Sequence, residues 1–255
     1  MRVIAVTGSA SGIGAAIRAQ CTRDGARVIG VDVRDAEIIA DLATPAGRAA
    51  AIAAIEAAAA GRLDGLVACA GLGPHVPDAA AIVAVNYFGA QVLLAGLRGT
   101  LAAAPQPAAV AIASNALSVP NDDAALVDAC LAGDEAAARA LTVTMASQQV
   151  YAGSKRALTR WLRRAAPAAE WAGAGIRLNA VAPGAVLTPL LQGGLDHPIF
   201  GPAIRGFPVP TGGPGAPDDI AAAVAFLLGP AARFACGSVL FVDGGTDALL
   251  RPDLY

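Results

Sequence analysis

The chain is poor in aromatic residues (4%), in charge (15%), and in histidine, methionine and tryptophan, of which there are two each. With only His75 and His197 available, a Ser-His-Asp hydrolase has no base placed by any pattern. The four cysteines (Cys21, Cys69, Cys130, Cys236) stand far apart, with no C-x-x-C pair and no Cys/His cluster. A disulfide framework and a metal site are therefore not expected, and a reducing compartment is. The formal net charge is −2 and no Lys/Arg run breaks the surface pattern, which excludes a nucleic-acid footprint. The apolar run at 51–60 is interrupted by Glu56 and is too short to cross a bilayer. The N-terminus (Met1-Arg2-Val3-Ile4-Ala5-Val6) passes straight into a strand pattern without an h-region, so neither a signal peptide nor a membrane partner is expected. The expectation is a cytoplasmic protein.

What is abundant is apolar residue, 56% of 255, much of it alanine. That suits helices packed closely on a sheet in one well-buried domain spanning 1–255. Continuous apolar runs predict strands at 2–7, 27–31, 37–40, 65–68, 108–113, 176–181 and 238–242. Helical patterns fall between them at 12–24, 45–60, 79–101, 150–171 and 217–228. This alternation predicts an α/β fold, a doubly wound (Rossmann) parallel sheet of seven strands with helices on both faces. Two segments break the rhythm. Residues 115–149 contain helical patterns at 124–131 and 135–145 and read as a helical insertion. Residues 190–215 are crowded with Gly and Pro, which precludes long regular structure and predicts a mobile cover over a site.

Thr7-Gly8-Ser9-Ala10-Ser11-Gly12-Ile13-Gly14 follows the first strand and opens the first helix. Glycines there let the backbone approach a pyrophosphate, whose charge the helix N-terminus stabilises. Asp32 ends the second strand, where a carboxylate accepts hydrogen bonds from ribose hydroxyls and repels a 2′-phosphate. The loop carries no basic residue, so the expected cofactor is NAD; Arg34, two residues past Asp32, leaves some use of NADP open.

The Thr-Gly-x-x-x-Gly-Ile-Gly spacing together with Tyr151-Ala152-Gly153-Ser154-Lys155 resembles the short-chain dehydrogenase/reductase family over nearly the whole chain. Asp41-Leu42 falls where the family brackets the adenine. Cys69-Ala70-Gly71 stands in place of the family's Asn-Ala-Gly, a departure expected to alter sheet support more than chemistry. Asn86 matches the family's helical asparagine, and Ser114 its catalytic serine. Asn179 to Gly184, with Val186 and Thr188, matches the segment that contacts the nicotinamide, and Val242-Asp243-Gly244-Gly245 the last strand. The resemblance thus implies cofactor contacts at Gly8, Ser11, Gly12, Ile13, Gly14, Asp32, Asp41, Leu42, Ala70, Gly71, Tyr151, Lys155, Pro183, Gly184, Val186 and Thr188. Within the family, the 32–42 and 69–74 stretches and the insertion before Tyr151 point toward the bacterial hydroxysteroid dehydrogenases and carbonyl reductases.

Tyr151 and Lys155 stand four apart on a predicted helix and share a face. A neighbouring ammonium favours the phenolate, so Lys155 is expected to lower the tyrosine pKa toward neutrality. By the resemblance, Tyr151 exchanges a proton with the substrate oxygen, Ser114 hydrogen-bonds that oxygen, Lys155 also holds the nicotinamide ribose, and Asn86 holds a water on a path to Lys155. Alone, a Tyr-x-x-x-Lys pair is an ordinary amphipathic surface feature; its place downstream of the glycine loop gives it weight. Leu187, Leu190, Leu191, Leu195, Ile199, Phe200, Ile204 and Phe207 in and beside the cover predict an apolar alcohol or ketone substrate, with a steroid among the candidates. The rival readings are a non-catalytic NAD-binding sensor and an NADP-linked reductase. Family members assemble through helices beside the central strands. The insertion is expected to cover one such face, which predicts a homodimer rather than a tetramer.

Overall fold

The computed structural model describes residues 1–120 and 123–254. Seven parallel strands form one sheet: β1 (Val3–Thr7), β2 (Arg27–Asp32), β3 (Ile38–Ile39), β4 (Gly65–Ala68), β5 (Ala108–Ile112), β6 (Arg177–Pro183) and β7 (Val239–Val242). Their order is β3-β2-β1-β4-β5-β6-β7, with every neighbouring pair parallel. The strand order reverses between β1 and β4, so the chain leaves those two C-terminal ends in opposite directions and a crevice opens there.

Strand alternation sends each sheet face to a different core. On one face Ile4, Val6, Val67, Val110 and Ile112 meet Ile17 and Cys21 of α1 (Gly12–Arg23) and Ile220, Val224 and Leu227 of α11 (Pro217–Leu228). On the other face the sheet contributes mainly alanine: Ala5, Ala68, Ala109, Ala111, Ala180 and Ala182. Against this shallow layer lie α2 (Pro45–Ala59), α4 (Ala90–Gly96) and α8 (Ser147–Ala165), with Ile55, Leu93, Leu94, Leu158 and Leu162 buried. Small strand residues let the helices sit close and keep packing dense, which places α8 and its polar face directly over the crevice.

The predicted helix 79–101 is divided. It runs as α3 (Ala79–Val83), a wide π-helical turn at Ala84–Gly89, α4, and α5 (Arg98–Ala102). The wide turn carries Asn86, whose side chain reaches out to Leu72, and ends at Gly89, where an added Cβ would lie 3.2 Å from the Leu42 Cβ. Such turns interrupt the regular helical ladder and often mark functional positions. Ala79–Gly96 is long and apolar enough to cross a membrane, but most of it is buried in the fold, as expected of a core helix. The predicted helix 150–171 begins earlier, at Ser147, and ends at Ala165; Trp171 lies beyond it, edge-on to Trp161 with ring centroids 6.0 Å apart.

The insertion forms α6 (Ala124–Ala132) and α7 (Glu135–Leu141). Asp123 caps the first through Leu126 N–H (3.1 Å), and Asp134 caps the second through Ala137 N–H (2.9 Å). Leu126 seats against α8 at Gly153, where a Cβ would come within 2.9 Å of its methyl group. The 190–215 segment is more regular than its composition suggests. It holds two short helices, α9 (Pro189–Asp196) and α10 (Phe200–Gly206), the first capped by Thr188 through Leu191 N–H (3.1 Å). A cap followed by a proline at the first helical position starts α9 despite the glycines inside it. Burial of Leu158 on the inner face of α8 gives a direct check on this packing. Leu158→Ala should cost about 2–5 kcal/mol in urea unfolding while leaving the secondary structure unchanged in circular dichroism.

Candidate active site

At the crevice the chain turns from β1 into α1 through residues that a side chain would obstruct. Gly8 has φ +68°, and a Cβ there would lie 2.8 Å from the Ala70 Cα; a Cβ on Gly14 would lie 2.0 Å from the Gly8 carbonyl oxygen. Thr7 Oγ1 accepts hydrogen bonds from both Cys69 N–H and Ala70 N–H at 3.0 Å, tying β1 to the end of β4. This is the sheet support that a side chain at Cys69 does not need to provide. Asp32 at the end of β2 accepts from Ala10 N–H (2.9 Å) and Val33 N–H (2.7 Å), which fixes its carboxylate against the glycine loop.

From there a cleft of about 500 Å³ runs across the strand ends. Every site residue expected from sequence except Asn86 lines it. Gly8, Ser11, Gly12, Ile13 and Gly14 with Asp32, Asp41 and Leu42 form one end; Ala70, Gly71, Ser114, Tyr151 and Lys155 form the middle, closed by Pro183, Gly184, Val186 and Thr188. Thr188 packs on the glycine loop, its Cγ2 3.2 Å from where a Gly12 Cβ would be, so the root of the cover touches the first helix. Gly184 admits Asp243, whose Cα would be 2.7 Å from an added Cβ. Cys69, Leu72, Ile112 and Ala113 also line the cleft.

The Asn86 side chain is committed to the backbone after β4. Its Oδ1 accepts from Leu72 N–H (2.8 Å), its Nδ2 donates to Leu72 O (3.0 Å), and its Nδ2 lies 3.4 Å from Ser154 Oγ. The amide clamps the stretch after β4 rather than lining the cleft. Of the eight apolar side chains expected to line the substrate end, only Leu190 and Leu191 do so. Leu187 (60% exposed) and Ile199 (74%) face solvent, while Ile204 packs on Gly194 and Phe200 stacks beside His197 (centroids 4.5 Å apart). Once α9 and α10 form, Phe200 and Ile204 are used to hold the two short helices together.

The electrostatics also differ from expectation. Lys155 is 4% exposed and its Nζ donates to the Ile112 carbonyl of β5 (2.8 Å). Burial brings its pKa down to about 8. Tyr151 is raised above the usual phenol range by burial, and the one opposing influence is its hydrogen bond with Ser114. At the tyrosine, then, burial outweighs any pull of the ammonium. Beside Lys155, burial pushes the Cys69 thiol up to about 12 against the pull of the ammonium, so Cys69 stays neutral and offers no counter-charge. Ser114 Oγ accepts from Ala116 N–H (3.1 Å), which holds the hydroxyl at the end of β5.

A family model described as enoyl-(acyl carrier protein) reductase matches residues 8–247. The chain belongs to the short-chain dehydrogenase/reductase family. It is 46% identical to the 3-alpha-hydroxysteroid dehydrogenase/carbonyl reductase of Comamonas testosteroni, over all of both chains. It is 32% identical to the D-threitol dehydrogenase of Mycolicibacterium smegmatis, over 96% of this chain and 92% of that one. Among solved structures, the 3-alpha-hydroxysteroid dehydrogenase from Pseudomonas sp. B-0831 complexed with NADH superposes with a TM-score of 0.95 at 50% identity. That match covers 99% of this chain and 100% of the other. Family membership gives the cleft its context, and the burial of Lys155 gives it a measurable signature.

Below about pH 8 Lys155 is charged in both folded and unfolded chains, and the full cost of burying the ammonium is present. As pH rises through 8 the folded protein releases this proton before the unfolded chain does, so the penalty is relieved up to about 10.5. The relief amounts to about 3 kcal/mol. Relative to Lys155→Met, wild-type stability should therefore climb between pH 8 and 10.5; parallel stability curves across that range would contradict the assignment.

Proposed function

We propose that this chain is an NAD(H)-dependent oxidoreductase that interconverts a secondary alcohol and a ketone, with 3α-hydroxysteroids and other apolar carbonyl compounds as substrates. The observation that carries the reading is the single cleft that joins a side-chain-free glycine cradle and Asp32 at one end to Ser114, Tyr151 and Lys155 at the other. The cradle fits a dinucleotide because Gly8, Gly12 and Gly14 leave backbone N–H groups at the start of α1 open to a pyrophosphate. Asp32 and the Asp41–Leu42 pair would take the adenosine half. Arg34 is exposed beyond β2, and among the described residues no basic side chain lines that end of the cleft, which favours NAD over NADP. The likeness to full-length hydroxysteroid dehydrogenases supports the substrate class.

When bound, the nicotinamide supplies or takes up the hydride. The remaining work falls to the chain. Tyr151, kept protonated by burial, donates its proton to the carbonyl oxygen during reduction and regains it from the alcohol in the reverse direction. Ser114 hydrogen-bonds the same oxygen and steadies the charge that develops on it. Lys155, with a pKa near neutrality, sits one helical turn from Tyr151 and can replenish the proton; it would also hold the nicotinamide ribose. Asn86 keeps Leu72 in place on the floor of the cleft. Leu72, Leu190 and Leu191 offer an apolar surface to the rest of the substrate.

A substrate panel with both cofactors tests this reading. Steroid and aliphatic or aromatic ketones should be reduced with NADH in preference to NADPH, and Tyr151→Phe should lower kcat by about 10²- to 10⁴-fold while NADH still binds. Turnover of small polar alcohols or sugars alone would remove the steroid assignment. NADH binding without turnover by the wild type would favour the sensor reading.

The insertion supports a homodimer: α6 packs on α8, on a face through which a second copy would otherwise dock. We place the protein in the cytoplasm on its lack of a disulfide framework. Light scattering should give twice the chain mass, and a tetramer would show that α6 leaves that helical face free.

A further inference from the structure

We propose that Glu135, in the helical insertion, is a positioning residue for the adenosine half of the cofactor. The inference rests on the NAD(H) reading above and assigns to the insertion a role in cofactor binding.

The segment that would border the adenine, Asp41-Leu42-Ala43, has no secondary structure of its own and lines the outer end of the cleft. Its backbone is held by two arginines. Arg48, in the first turns of α2, points Nη1 at the Leu42 carbonyl (3.5 Å) and the Ala84 carbonyl (3.4 Å). Arg139, on α7, donates through Nη2 to the Ala43 carbonyl. Both guanidinium groups are oriented by one carboxylate. Glu135 pairs with Arg48 Nη2 through Oε2, and with Arg139 Nε (2.9 Å) and Nη2 (2.8 Å) through Oε1.

Three features make this arrangement more than a surface staple. Arg48 is 3% exposed in a helix otherwise rich in alanine, so its charge is buried and depends on Glu135 for compensation. Glu135 comes from the insertion, 87 residues away in sequence, and none of the insertion's described residues lines the cleft. The Ala84 carbonyl that Arg48 also reaches begins the wide turn bearing Asn86 and ending at Gly89, which packs on Leu42. The carboxylate therefore sets the position of the adenine-facing backbone from the far side of the wall, and charged hydrogen bonds of this kind resist displacement.

The test measures Kd for NADH by fluorescence and for AMP by displacement of NADH, in wild type, Glu135→Ala, Glu135→Gln and Arg139→Ala. In Glu135→Ala both ligands should weaken together by about five- to tenfold. Arg139→Ala and Glu135→Gln should show the same paired loss at smaller size, with kcat at saturating NADH and KM for the ketone unchanged. AMP carries only the adenosine half, so an equal change in both ligands localises the effect to that end. Unchanged Kd values in Arg139→Ala and Glu135→Gln would overturn the proposal, as would a loss shared by ketone KM and kcat, which marks a general loosening of the fold. If Glu135→Ala does not fold, Arg139→Ala decides the matter, because it leaves the Arg48–Glu135 pair intact. Failure of the wild type to bind NADH would instead overturn the cofactor reading on which the inference stands.

Discussion

The close approach of Gly8 to Ala70 governs the geometry of the whole site. Two backbones meet there at a distance that excludes even a methyl group, and Thr7 Oγ1 closes the junction by accepting from both Cys69 and Ala70. Because β1 and β4 diverge to opposite faces just beyond this point, the crevice can only open outward, over the strand ends. The start of α1, the floor at Gly71–Leu72 and the end of β5 at Ser114 all take their positions from that contact. A wider junction would separate the glycine cradle from the proton-transfer residues.

Burying a lysine in such a site has a cost that the fold accepts. Lys155 is surrounded by protein, its Nζ donates to the Ile112 carbonyl, and the charge partner that acts on it, Cys69, is a thiol kept neutral by burial. No carboxylate offsets the desolvation, so the ammonium loses its proton near pH 8 rather than in the usual lysine range. The group thereby becomes able to give and take protons at the working pH of a cell, which a solvated lysine is not. The same burial raises Tyr151, so two groups that are nearly matched when free are driven apart in proton affinity, and Lys155 becomes the stronger acid of the pair.

The particular misreadings share a physical cause. The glycine loop, Asp32, Ser114 and the Tyr151–Lys155 pair were legible because each is a local pattern: a turn that needs missing side chains, a strand end, a helical spacing. The role of Asn86 was less legible, since its amide is used by the Leu72 backbone, a partner that only the wide turn brings within reach. In the cover, Gly193-Gly194 and the prolines signal breakage, yet Thr188 caps α9 and Pro189 starts it. Its apolar residues then served packing between α9 and α10 as often as the cleft. The Glu135–Arg48–Arg139 link had one weak trace in the sequence, a lone arginine among alanines on the buried face of α2.

Taken alone, the order of residues determined the alternation of strands and helices, the parallel sheet, the glycine cradle and the spacing that puts Tyr151 and Lys155 on one helical face. Those features depend on neighbours a few positions apart, where periodicity and backbone sterics act directly. Tertiary structure decided where Asn86 would spend its hydrogen bonds, how far burial would shift Lys155, and that an insertion from the middle of the chain would brace the wall beside Asp41 and Leu42. These depend on distance and dielectric between elements remote in sequence, and such quantities exist only once the chain has packed.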